Sequence, residues 1–126
     1  MMLNSALAFG GAAIFVACAF AVVSEVRPSK AWILPAVGSL VFFGFSLVAV
    51  LQEGPTGFWP EHTRNLWGNQ IWFDLLLSVL VGWTLMVPQA KAQGMRPLLW
   101  LVLVIATGSI GFLAMLSRLL YLKEAR

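Results

Sequence analysis

Apolar runs of membrane-spanning length leave this chain few choices of fold. Four of them, residues 3–24, 31–51, 69–87 and 97–117, take up most of its 126 residues. The hydrocarbon core of a bilayer is about 30 Å thick, so a helix that crosses it needs roughly 20 mostly apolar residues. Each run meets that length. With 60% hydrophobic and only 10% charged residues, the composition lies far from that of a soluble domain. The expected fold is all-α: one integral membrane domain over residues 1–126, a four-helix bundle with an interfacial segment between helices 2 and 3. A chain so filled with spans has no room for a separate soluble catalytic unit.

The first run lacks the positively charged start of a signal peptide and is longer than the usual apolar region of one, so it reads as a genuine span. Ala6, Gly10, Ala13, Ala17 and Ala21 recur at helical spacing and form a face of small side chains. Helices in lipid gain no hydrophobic drive from meeting one another, and small faces let their backbones approach and gain dispersion contacts. This face is expected to pack against another helix, from the same chain or from a partner. Cys18 is the only cysteine, which rules out an internal disulfide and a CxxC metal or redox pair.

Pro28 breaks the polar stretch SEVRPSK at residues 24–30 before the second run, which contains no ionisable residue. The longest connection is QEGPTGFWPEHTRNLWG, residues 52–68. Its glycines and prolines oppose a continuous helix, while Trp59 and Trp67 are side chains that settle at the headgroup level. His62, the only histidine, invites a metal reading, but it has no neighbouring cysteine or acidic cluster and reads as an interfacial residue. In the fourth run Thr107 and Gly111 make a small-xxx-small pair suited to helix packing. The surrounding glycines and hydroxyls could equally bracket a ligand or a local bend.

Asp74 is the ionisable residue that lies well inside a run. An aspartate near the centre of a spanning helix costs about 2.5–3.5 kcal/mol on insertion scales, so such residues usually face a bundle interior or a watery cavity. Gln70, Asp74, Ser78 and Gly82 follow one another every fourth residue and give the third helix one polar or small face. If helices 3 and 4 are antiparallel spans, Asp74 near the start of one and Arg118 near the end of the other approach the same membrane surface. An ion pair locking the two helices is the leading expectation, with Arg64, Thr107 and Ser109 as lesser partners. The rival readings make Asp74 a proton or cation site, or leave it facing water.

Eight Lys and Arg residues against five Asp and Glu give a net charge of +3. They sit at the ends of the runs and form no stripe for a phosphate backbone, so nucleic acid is not expected as a partner. No phosphate-binding loop, HExxH or nucleophile beside the lone histidine is present, and a non-enzyme is expected. Cytoplasmic loops collect Lys and Arg. The connections holding Arg27 with Lys30 and Lys91 with Arg96 are therefore expected to be cytoplasmic, which places both termini outside. Arg118, Lys123 and Arg126 oppose that arrangement if there are four spans.

From Gln70 onward the order of features resembles a family of small bacterial multi-spanning membrane proteins of unknown function. The resemblance rests on Asp74, Trp83, Lys91 with Gly94, Trp100, the stretch Gly108-Ser109-Ile110-Gly111, and Tyr121-Leu122-Lys123. It departs at Gln89-Ala90, where that family has Asp-Ala, and at Phe112, where it has proline. The resemblance implies a bacterial inner membrane and no particular reaction.

Two small faces on a chain with little polar interior suggest a non-catalytic accessory subunit. It would pack against a larger membrane complex or copies of itself, and could hold lipid or another apolar cofactor. The alternatives are a small transporter or channel subunit built on Asp74, and a pigment- or quinone-binding protein lined by Trp67, Trp72, Trp83 and Trp100.

Overall fold

The computed structural model describes residues 2–25 and 28–126, and the described residues in regular structure are all helical. The order is α1 (Met2–Val23), α2 (Ile33–Glu53), α3 (Phe58–Thr63), α4 (Leu66–Ala92), α5 (Pro97–Thr107) and α6 (Ser109–Ala125). Three of these, α1, α2 and α4, are long and apolar enough to cross a membrane. At about 1.5 Å per residue, α4 with its 27 residues is roughly 40 Å long, more than the hydrocarbon core requires.

The expected fourth span is divided. Gly108 takes φ 64° and ψ −125°, a combination that glycine alone adopts without strain, and it separates α5 from α6. The chain then turns back. A methyl group built on Gly111 would lie 2.8 Å from the backbone oxygen of Leu103, eight residues earlier, where a straight helix would hold them about 12 Å apart. Thr107 secures the turn by donating its hydroxyl to the Leu103 oxygen at 2.7 Å and accepting from the Gly111 N–H at 2.9 Å. Gly108 N–H reaches the Val104 oxygen, and Phe112 N–H reaches the Gly108 oxygen. Irregular backbone needs such internal partners wherever water is scarce.

Because of this turn, α6 runs in the same direction as α4. Phe112 stands against Gly82, Met115 and Leu119 join Met86 and Ala90 in the main core cluster, and the Lys123 ammonium donates to Gln89 Oε1. Ala90 and Met115 are wholly enclosed. Met95 and Trp100, from the start of the hairpin, pack on the same cluster with Trp83 and Leu116.

Helix α2 lies antiparallel along α6. Ser39 Oγ donates to the Ile110 oxygen at 2.8 Å, Gly38 faces Leu113, and Ser117 Oγ donates to the Trp32 oxygen at 2.8 Å. The rings of Trp32 and Tyr121 meet edge to face at 5.5 Å, and Lys30 N–H donates to Glu124 Oε1 at 2.7 Å. These links ascend one helix as they descend the other. Buried Ser39 and Ser117 place a hydroxyl at each end of the interface.

Helix α1 takes no part in this packing. None of its residues is buried, and nothing approaches a Cβ position at Gly10 or Gly11 within 4 Å. The Ala6, Gly10, Ala13, Ala17, Ala21 face therefore packs against no other described helix.

Candidate functional site

The polar face of α4 is the most unusual chemical feature of the chain. Gln70, Asp74 and Ser78 share one side of the helix and are all exposed. Gly82, the next member of the series, turns instead toward the α5–α6 hairpin and touches Phe112. The face thus begins outside the packed region and ends inside it. Asp74 stands eight residues into α4, about 12 Å from its start, flanked by exposed Phe73, Leu75 and Leu77. Among the described residues, the ion pair formed is Arg64 to Glu61 at 2.9 Å, between exposed side chains three residues apart, and it does not involve Asp74.

Asp74 and Arg118 are not brought together. The expectation assumed that the fourth span crosses the membrane and ends beside the start of α4. The turn at Gly108 reverses that direction, so the end of α6 lies beside the end of α4, where Lys123 meets Gln89. Gln89 is fifteen residues beyond Asp74, about 22 Å along the helix. Arg118 instead lays its guanidinium over the Tyr121 ring, 5.6 Å from the centroid. It lines a shallow depression with Trp32, Ala114, Ser117 and Tyr121. A second depression is lined by Met86, Ser109, Phe112, Leu113 and Leu116 and is almost wholly apolar. Neither reaches Asp74.

The connection between α2 and α4 folds onto the start of α4. Asn65 caps α4 by accepting from Gly68 N–H at 2.8 Å, in extended backbone geometry suited to that role. Asn69 Nδ2 donates to the His62 oxygen at 2.7 Å, which ties α3 to α4. The close approach requires a glycine, since a Cβ at Gly68 would lie 2.5 Å from the Glu61 oxygen. The His62 ring lies 4.9 Å from that of Trp72, tilted by 39°, and Phe58 and Trp59 complete the aromatic cluster. Among the described residues, no three His, Cys, Asp or Glu side chains come together to hold a metal.

Trp59 and Trp67 are both exposed at this corner. Trp67 and Trp72 belong to it, whereas Trp83 and Trp100 flank the core near the other end of α4. The four tryptophans do not line one site. Thr107 and Gly111 meet each other within the hairpin turn rather than joining two spans.

Sequence reasoning missed Ser39, Ser117, Trp32 and Tyr121, which join α2 to α6. A signal was present: Ser39 is one of two hydroxyls, with Ser46, inside a largely apolar run, and Ser117 lies one residue before Arg118. Their pairing depends on the reversal at Gly108, which spacing alone did not reveal. No family model matches the chain, and no curated protein or solved structure is similar to it.

Proposed function

We propose that the protein is a non-catalytic accessory subunit of a membrane assembly, held to a partner through the Gln70, Asp74, Ser78 face of α4. The observation that carries this reading is Asp74 itself. Its carboxylate projects from a helix of spanning length, among exposed apolar side chains and away from the chain's own packed region. Left in lipid, it costs about 2.5–3.5 kcal/mol. A cationic or hydrogen-bond-donating side chain at the same depth on a neighbouring helix would remove that cost. Helix α1, with its small face uncovered, supplies a second contact surface. The expected four-helix bundle would then be completed in the assembly, where α1 gains a neighbour.

Gentle extraction followed by native mass spectrometry tests the proposal. Wild-type protein is expected to retain a partner, Asp74→Leu to lose it, and Asp74→Asn to keep part of it. Wild-type protein that remains a monomer with no bound protein would overturn this reading. The transport reading predicts something different: a proton or cation flux in vesicles that Asp74→Asn abolishes while the fold is preserved.

A further inference from the structure

The hairpin changes how the charges are distributed. Helix α5 has 11 residues and is about 16 Å long, roughly half the hydrocarbon thickness. The turn at its end lies beside Ser39 on α2 and Gly82 on α4, both well inside helices of spanning length. From there α6 returns to the end at which α5 began. Lys30 is tied to Glu124 and Gln89 to Lys123, so the start of α2, the end of α4 and the end of α6 lie together. Lys30, Lys91, Arg96, Arg118, Lys123 and Arg126 consequently gather at one end of the molecule. Arg27 lies outside the described residues. Among the described Lys and Arg residues, Arg64 alone lies by the α3 corner, and Glu61 pairs with it.

We infer that the chain crosses the membrane three times and enters it a fourth time as a re-entrant hairpin. Its cationic end sits on the anionic headgroups of the cytoplasmic leaflet, with the N-terminus outside and the C-terminus inside. Three crossings put the termini on opposite sides, and Lys and Arg near span ends set which side is cytoplasmic. The tail that opposed the loops in a four-span arrangement now agrees with them. Each cation near an anionic surface contributes favourably, and the open Trp32, Arg118, Tyr121 depression offers a guanidinium and an aromatic wall at headgroup depth. This inference does not depend on the accessory-subunit reading.

Single-cysteine labelling of the full chain tests it. In a Cys18→Ser background, Asn4→Cys, Thr56→Cys, Ala92→Cys and Ala125→Cys are exposed in intact cells to a membrane-impermeant charged maleimide. Positions 4 and 56 are expected to label at once, and 92 and 125 only after the membrane is opened. Labelling of 125 from outside together with 4 would mean that the fourth segment crosses, and would overturn the hairpin. Labelling of 92 and 125 from outside with 4 protected would overturn the orientation.

Should a cysteine variant fail to insert, fusions to the wild-type C-terminus give the same reading. Fluorescence from a cytoplasm-dependent reporter supports the inference, and activity of a phosphatase that works only outside the cytoplasm overturns it. For the headgroup contact, wild-type protein in mixed phosphatidylglycerol and phosphatidylcholine vesicles should retain the anionic lipid several-fold more in native mass spectra. Lys91→Gln, Arg96→Gln and Lys123→Gln together should remove that preference, and equal retention of both lipids by wild type would overturn this part.

Discussion

At the scale of single residues, the fold turns on Gly108. Its φ of 64° with ψ of −125° excludes any side chain without strain of about 1–3 kcal/mol. Gly108→Ala is therefore expected to lower the thermal midpoint in detergent by several degrees. Gly44→Ala, in open space inside α2, should leave it unchanged or raise it slightly. Thr107→Val should also destabilise, because it removes both hydroxyl hydrogen bonds of the turn. The sequence made the unusual residue types at 107–111 visible. It did not reveal the reversal, because glycine and hydroxyl residues are tolerated in straight spanning helices. What selects the turn is tertiary: the Ile110 oxygen finds Ser39, and Gly111 finds the Leu103 backbone.

At the scale of elements, the helices differ in how much of each is spoken for. Helix α6 buries Gly111, Met115, Ser117 and Leu119, whereas α1 buries nothing. Gly10→Leu should consequently leave the stability of the isolated protein unchanged, while reducing recovery of any partner that docks on α1. The measurement is a pair: a detergent melting curve and a co-purification yield. The α3–α4 corner behaves in the opposite way. Asn65→Ala removes the α4 cap and should cost about 0.5–2 kcal/mol, with a change in tryptophan fluorescence as Trp72 loses its fixed position beside His62. The long helices themselves were legible from apolar run length, to within a few residues for α1 and α2. Helix α3 was not, because its proline and flanking glycines argue against helix and six residues are too few to show a period.

At the scale of the whole molecule, the direction of one helix decides which charges can meet. Antiparallel spans would have joined Asp74 to Arg118, while the observed arrangement gives Arg118 to Tyr121 and leaves Asp74 facing outward. A double-mutant cycle with Asp74→Asn and Arg118→Gln should show additivity within about 0.5 kcal/mol. Coupling above about 1 kcal/mol would mean that the two charges interact. The membrane character of the chain was written in its composition, and the polar face of α4 in its four-residue spacing. Which neighbour that face receives was beyond the sequence, since it depends on how the last third of the chain folds back.

The pairing of α2 with α6 also sets a clock. Ser39 waits for Ile110, 71 residues later, and Lys30 for Glu124, 94 residues later. At roughly 5–20 residues per second of synthesis, α2 spends several seconds beside the emerging chain before its mate exists. Maturation of the core therefore waits for α6, and a nascent chain stalled before residue 109 should remain open to proteases that the finished protein resists.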